Sequence, residues 1–493
     1  MIKRLLLGLL LGLLLLLALL AAALVTNTLR QGSRQVVVPP LAPLAVDKAA
    51  VAQAMAVAVR AKTVSGLLDP TGVAAEFDKL HEHLRVTYPL VHATLQREVV
   101  GAHSLLYTWP GSEPQAPAVL LMAHQDVVPV APGTDTLWKK PPFDGVIEDG
   151  MVWGRGALDN KSNVVTQLQA VEQLLKSGFK PRRTIYLVFG HDEEVGGQRG
   201  AVPIVALLKQ RGAQLAFVLD EGLAVTEGIL PGVDKPLALI GLAEKGSVSL
   251  KFTAQAAPGH SSMPPAAGHS AIGMLAAALT RLDNKPLPGG IQGAAADLFA
   301  AVAPELPFGQ RLAMSNLWLF KPVVERMLGQ SASSNAMLRT TTALTILNAG
   351  IKENVLPGRA EAVVNFRILP GDSSASVLAF AKQAIADERI DVQLLGVPFE
   401  PSKLSSAQSD AYRVIERTIR EVFPDALVAP GLVLAATDSR HFQGLAEQTY
   451  RFMPIRFKSQ DLARVHGTDE RISGDQLVDM VRFYFRLLQQ SAQ

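Results

Sequence analysis

The chain opens on an apolar run without a polar break. Residues 5–25 are leucine, alanine and glycine with one valine and no charge. As a helix rising ~1.5 Å per residue, the run is about 30 Å long, the thickness of a bilayer core. Lys3 and Arg4 stand before it, which keeps the N-terminus cytoplasmic and sends the rest across. Two readings follow. One is an uncleaved signal anchor. The other is a cleaved leader with Ala21-Ala22-Ala23 as its small-residue site, although the run is longer than a leader needs. A buried soluble helix fits poorly, because nothing polar marks a solvent face. Either main reading places the body outside the cytoplasm. Residues 26–44 then read as a linker, with Pro39, Pro40 and Pro43 opposing regular structure.

From about residue 45 to 95 the pattern is helical. Short apolar runs bounded by Gly and Pro then follow at 118–122 (AVLLM), 184–189 (TIYLVF) and 215–219 (LAFVL), and they predict buried strands. Between them, 163–176 and 201–211 carry apolar residues at helical spacing. Strands alternating with helices predict an α/β fold with a mostly parallel sheet covered on both faces. Farther on, 247–253 (SVSLKFT) and 360–368 alternate like half-buried strands.

Composition narrows the picture. A length of 493 residues suggests two or three domains. With 48% hydrophobic and 18% charged residues, global disorder is excluded. A net charge of +3 without a basic cluster argues against a nucleic-acid binder. The chain has 0 Cys, which removes disulfides, thiolate metal sites and cysteine nucleophiles together.

In parallel sheets, ligands sit beyond the carboxyl ends of the strands. Here the three runs are followed by His124-Gln125-Asp126, by His191-Asp192-Glu193-Glu194 and by Asp220-Glu221-Gly222, and a loop adds Asp159-Asn160-Lys161. Each piece alone has an ordinary reading: a surface pair, a solvated loop, or a helix cap at Asp159. Together, carboxylates converging on one sheet edge repel, and burying them costs on the order of several kcal/mol each unless cations neutralise them. Arg155, Lys161 and Arg199 are too few to do so. Bound metal resolves the conflict. Histidine and carboxylates without thiolate suit zinc, and more loosely cobalt or manganese. The number of carboxylates suggests two ions sharing one Asp. On an extended backbone His124 and Asp126 share a face, so the second can hold the tautomer of the first. Glu193 and Glu194 point apart, so one can ligate while the other serves as base.

The runs MAHQDVVPV, WGRGALDNKSN, VFGHDEEVGGQRGA and VLDEG, in this order, resemble the di-zinc metallohydrolases that include aminoacylase, carboxypeptidases and succinyl-diaminopimelate desuccinylase. The stretches at 88–111, 338–373, 436–442 (ATDSRHF) and 465–473 (VHGTDERIS) are similar to the carboxypeptidase S branch, which includes secreted enzymes that make and break N-fatty-acyl amino acids. The resemblance spans from about residue 45 to the C-terminus.

It implies a zinc-exopeptidase-like catalytic domain interrupted by a smaller α/β lid of the dimerisation type. The divisions expected are 1–25 (membrane segment), 26–44 (linker), 45–245 (catalytic, first part), 246–369 (lid) and 370–493 (catalytic, second part). It implies two Zn2+ per subunit, with Co2+ or Mn2+ as substitutes. Their ligands would be His124, Asp159 (bridging, with a cis peptide bond after it), Glu194, Asp220 and His466. Asp126 would support His124, and Glu193 would be the general base. Glu221, beside Asp220, is the alternative ligand at that position. In the lid, His260 resembles the group that polarises the scissile carbonyl, in its own subunit or across a homodimer. Asn354 and Arg367 resemble the pair that holds a substrate carboxylate. The activity implied is cleavage or synthesis of an amide beside a free-carboxylate amino acid, in a short peptide or an N-acyl amino acid. A dipeptidase, a small-acyl deacetylase and a binding protein on a dead hydrolase fold are the other readings. Ser261 and Ser262 belong to no G-x-S-x-G element, and His269 reads as structural. The apolar stretch 286–335 reads as extra lid helices or as a wall for an acyl chain.

Overall fold

The computed structural model describes residues 2–42, 44–66, 73–229 and 232–493, so Pro43 of the expected linker lies outside the described residues. The apolar run forms one helix, Ile2–Arg30, whose leucines are exposed along its length. It extends beyond the expected boundary at residue 26. Thr28 Oγ1 donates to the Leu24 carbonyl at 2.7 Å, and Asn27 finds partners on the body, so the polar turn stays helical. The chain after it is extended and lies against the body: the Leu41 N–H donates to the Glu421 carbonyl, and Gln35 pairs with both backbone groups of Val428.

The large sheet has eight strands. Their spatial order is Gln96–Val100, Ser104–Trp109, Ile185–Gly190, Ala118–His124, Leu215–Glu227, Thr449–Lys458, Leu237–Glu244 and Leu427–Val433. The middle of the sheet is parallel and the first two strands are antiparallel. The period of two in AVLLM explains its burial on both sides. Val119 and Leu121 face the helices Lys48–Arg60, Lys161–Lys176 and Gly474–Ser491. Leu120 and Met122 face Ala201–Gln210 on the other side. Burying a leucine this completely contributes about 1.5–3 kcal/mol, which is why AVLLM contains no polar residue.

A second, antiparallel sheet runs in the order Thr341–Ala349, Arg359–Ile368, Gly246–Gln255, Ile390–Phe399. Helices Ala271–Asp283 and Ser374–Ile385 cover one face through Leu275, Ala278 and Val377. The alternating segments at 247–253 and 360–368 are neighbours here, with Ser249 opposite Asn365. The return to the large sheet, expected near residue 370, comes later. Ser374–Ile385 and Ile390–Phe399 both belong to the second sheet, because Val392 and Ile385 complete its apolar face. The two crossings lie side by side. Gly246 abuts Phe399–Pro401, and Glu244 and Ser402 hydrogen-bond to each other.

The stretch 286–335 is helical. Its helix Gly293–Val302 packs Leu298 and Val302 on Leu427 and Ala429 of the large sheet's edge strand rather than on the second sheet. Helices Phe308–Ser315, Leu317–Leu328 and Ala332–Leu338 follow and close around Phe299 and Val324. A separate three-stranded sheet of Val146–Glu148, Met151–Trp153 and Arg471–Ser473 pairs the C-terminal motif with the strand that leads into the Asp159 loop.

Candidate metal centre

His124 is the last residue of its strand and is buried. Its Nδ1 faces Asp126, 3.4 Å from Oδ1 and 2.9 Å from the carbonyl oxygen. Its Nε2 points the other way, 2.9 Å from Asp159 Oδ1 and 3.2 Å from Glu221 Oε1. The Asp126 carboxylate also accepts the backbone N–H groups of Glu193 (3.2 Å) and Glu194 (3.1 Å). One buried carboxylate therefore aligns the imidazole and the short turn Glu193–Val195 together.

Asp159 does not cap the helix Lys161–Lys176. The N-cap residue is Asn160, which makes no side-chain cap bond. The Asp159–Asn160 peptide bond is cis, as the resemblance implied. The two oxygens of Asp159 face different partners. Oδ1 meets His124, while Oδ2 lies 3.2 Å from His466 Nε2, which is in turn 3.2 Å from Glu194 Oε2. His466, held in a left-handed conformation at φ 60°, precedes the strand Arg471–Ser473.

Two ligand sets result, His124–Asp159–Glu221 and Asp159–Glu194–His466, each with donor atoms within 4.8 Å of one another. Glu193 also comes within that distance in a group with His124 and Glu194. Asp220 is the expected ligand that the structure does not bring in. Its oxygens accept the backbone N–H groups of Glu221 and Ser439, both at 2.9 Å. The reason is local. Successive side chains on a strand point to opposite faces, and the ladder to Thr449–Lys458 shifts register between Asp220 and Leu223, around Gly222 at φ 137°. Such a bulge re-aims one side chain, and the one it aims at His124 is Glu221.

The charges of the cluster respond to crowding. Burial opposes charge on His124, but Glu221, Asp126 and Asp159 outweigh it and raise its pKa well above the ordinary imidazole range. Asp159 and Glu194 push His466 up to about 10. Burial pushes the Glu193 carboxyl well up, with His124 opposing and Asp438, Glu221 and Glu194 adding to the rise. Burial likewise drives Glu221 up to about 8. Burial opposes charge on Asp159 too, but its two imidazoles hold its carboxylate below the usual range. Protons thus gather where positive charge is scarce. Divalent cations supply that charge directly, and a donor set of imidazole and carboxylate without thiolate suits zinc. Glu194 Oε1 is buried without a hydrogen-bond partner, a lone pair free for a cation.

Two further buried acids lie beside the cluster. Glu470 accepts the N–H groups of Leu158 (2.8 Å) and Asp159 (3.1 Å) and pairs with Arg155 Nη1 at 2.8 Å. Burial raises its pKa while Arg155 pulls it back. Asp438 presses both carboxylate oxygens, unpartnered, against the Gly190–Gly197 turn, where a Cβ on Gly190 would stand 2.7 Å away. Both residues lie inside quoted motifs, VHGTDERIS and ATDSRHF. Nothing in the order of letters says that Glu470 turns inward.

His260, Asn354 and Arg367 stand apart from the cluster. The two-residue strand Gly259–His260 pairs with Val355–Leu356, which sets His260 beside Asn354, and the Ser261 N–H donates to the Asn354 carbonyl. His260 and Arg367 are exposed, and His260 Nδ1 bonds the Ser262 hydroxyl at 2.7 Å. Among the described residues, none of the three shares a hydrogen bond or ion pair with the metal-ligand candidates.

Comparison with known proteins follows the same lines. The sequence profile of peptidase family M20/M25/M40 matches residues 120–490. The chain is 43% identical over 443 residues to the N-fatty-acyl-amino acid synthase/hydrolase PM20D1 of Xenopus tropicalis, covering 89% of this chain and 85% of that one. It is 40% identical over 483 residues to a probable carboxypeptidase S-like 2 of Dictyostelium discoideum, covering 94% and 90%. Its fold is similar to that of the M20 family metallo-carboxypeptidase Sso-CP2 from Sulfolobus solfataricus, with a TM-score of 0.61, 18% identity and coverage of 89% and 98%. With its carboxylates and imidazoles gathered at the end of the large sheet, the chain belongs to peptidase family M20/M25/M40.

Proposed function

We propose that the chain hydrolyses an amide whose amine side carries a free carboxylate, as a carboxypeptidase or an N-acyl amino acid hydrolase, at a centre of two divalent cations. The observation that carries this is Asp159, whose two oxygens face two separate imidazole–carboxylate sets. His124 and Glu221 would hold one cation and Glu194 and His466 the other, with Asp159 shared. Cations there would supply Lewis acidity to the carbonyl and lower the pKa of water, most simply as zinc. Glu193 takes the proton from the attacking water and returns it to the leaving amine. Asp126 keeps His124 in one tautomer and fixes the Glu193 turn. His260 stabilises the oxygen of the carbonyl under attack. Arg367 and Asn354 hold the substrate carboxylate, for which a planar guanidinium is suited.

These three residues sit on the second sheet, so the reading needs that sheet to swing onto the large one about its paired crossings at Glu244–Gly246 and Phe399–Ser402. Hinged closure of this kind is a common gating motion. The relatives' names favour both substrate classes, a C-terminal peptide bond and a fatty-acyl amide. The body works on the outer side of a membrane, held by an uncleaved Ile2–Arg30.

The test is a substrate panel on the full chain with zinc supplied and chelator controls, setting blocked dipeptides against N-acetyl and N-oleoyl amino acids. Turnover lost with chelator and reduced at least about 100-fold in Glu193→Gln, with metal content unchanged, is the expected result. Equal turnover by Glu193→Gln would refute the reading. Equal kcat/KM from acetyl to oleoyl would remove any preference for a long acyl chain.

A further inference from the structure

The helix Leu317–Leu328 turns four of its large apolar side chains outward. Trp318 (66% exposed), Leu319, Val323 (58%) and Met327 (66%) face outward, with Pro322 among them. Positions 318, 319, 322, 323 and 327 share one half of the helix surface, with the exposed Arg326 among them. The inward side is a separate small cluster around Leu317, Phe320, Val324 and Leu328. Phe308, on the preceding helix, is also more than half exposed. Monomeric proteins seldom leave such a patch to water.

What covers the patch is indicated by its neighbour. The membrane-length helix Ile2–Arg30 ends against this region. Asn27 Nδ2 donates to the Ser315 carbonyl at 2.7 Å and to Asn316 Oδ1 at 3.0 Å. Asn316 Nδ2 donates to Thr28 Oγ1 at 3.1 Å, and Thr28 is fully buried. Arg311 donates to the carbonyls of Gln31 and Thr28. Trp318 Nε1 donates to the same Asn316 Oδ1 at 3.2 Å. Residues 5–25 fill a bilayer core of about 30 Å, so Asn27 and Thr28 fall at its outer boundary. Trp318, tied to them through one asparagine, falls at headgroup depth, where tryptophan is favoured. Exposed Lys321 and Arg326 on the same helix, with Arg30 and Arg34 at the anchor's end, suit anionic headgroups.

We propose that Leu317–Leu328 lies in the outer headgroup layer of the bilayer that Ile2–Arg30 crosses, with Trp318, Leu319, Val323 and Met327 against the acyl chains. The body is then fixed at two points and cannot turn freely about its anchor. The inference rests on the anchor being retained, and it does not depend on the reaction catalysed.

A chain with 0 cysteines invites single-site labelling. Val323→Cys and Met327→Cys, with Val397→Cys on the second sheet as an exposed control (Val397 is 96% exposed), would each carry a nitroxide. The full chain would be reconstituted in vesicles of phosphatidylethanolamine and phosphatidylglycerol. Collision rates with oxygen and with a water-soluble nickel chelate report depth. The expected result is several-fold oxygen excess at 323 and 327 and nickel excess at 397. A nickel excess at 323 and 327, in protein that stays with the vesicles, overturns the proposal while leaving the anchor standing. Spin–spin broadening at 323 and 327 with both reagents excluded would mean that a second copy covers the face, which also overturns it. Protein that leaves the vesicles overturns the anchor and the proposal together.

Discussion

Replacing Glu470 with Gln probes the support of the centre without touching a metal-ligand candidate. Glu470 is fully buried, and its carboxylate meets three donors: Leu158 N, Asp159 N and Arg155 Nη1. Arg155 is itself 2% exposed, and its Nη2 donates to the carbonyls of His466 and Gly467. The amide keeps the shape of the side chain. It keeps one acceptor for the two backbone N–H groups, but it turns an NH2 toward a guanidinium that cannot lose its proton. Removing one partner of a buried ion pair costs about 3–5 kcal/mol, chiefly for the charge left behind. At roughly 2 °C per kcal/mol for a body of this size, the midpoint should fall by about 6–10 °C. Differential scanning calorimetry of the metal-free protein reads this directly. The second readout is metal affinity, since Glu470 fixes the backbone of Asp159 and Arg155 fixes that of His466. Disturbing such an outer group weakens metal binding by about 10–100-fold. Adding Arg155→Met to Glu470→Gln removes the stranded charge and should recover part of the stability, leaving a coupling of at least about 1 kcal/mol in the double-mutant cycle. A Glu470→Gln protein that melts within about 1 °C of the parent and binds metal equally would refute the reasoning.

Two further outcomes are expected. Glu221→Gln should lose one of two bound metal ions, counted by elemental analysis after dialysis, whereas Asp220→Asn should keep both. The reverse result would return the ligand role to Asp220. Stability should also fall as pH rises across the range set by Glu416, on the helix Asp410–Val422, whose carboxyl is pushed up to about 7 by burial against the pull of Arg420. A folded-state pKa above the unfolded value means that the stabilisation is complete below about pH 4.5 and is lost as pH climbs through about 7. Glu416→Gln should therefore gain on the parent in melting temperature between pH 5 and 8, and an unchanged difference would refute the assignment.

Much of this protein was legible as a string. The anchor-length run, the buried strands at 118–122, 184–189 and 215–219, and the pair of alternating segments at 247–253 and 360–368 declare themselves by period and polarity. Burial of whole side chains dictates those patterns locally. The candidates at the ends of the strands were legible for a related reason: carboxylates crowded at one edge have few physical resolutions, and metal is among them. The resemblance then supplied His466, a residue distant in the chain that no periodicity predicts.

The tertiary structure decided where neighbours in the chain part company. Asp220 and Glu221 are adjacent letters of one charge, and a register shift at Gly222 determines which of them faces His124. Glu470 became a positioning group only when the small sheet through Arg471–Ser473 folded it beneath Asp159. The second sheet closed at Phe399 rather than near residue 370, because a strand joins whichever edge its apolar face completes. The pattern of 286–335 admits extra lid helices with their own core or a wall for an acyl chain. The stretch is helical with a small core of its own, and it packs on the large sheet's edge while leaving an apolar face exposed beside Ile2–Arg30. Periodicity states which residues must leave water. Which surface receives them depends on contacts between segments hundreds of residues apart, and those contacts exist only in the folded chain.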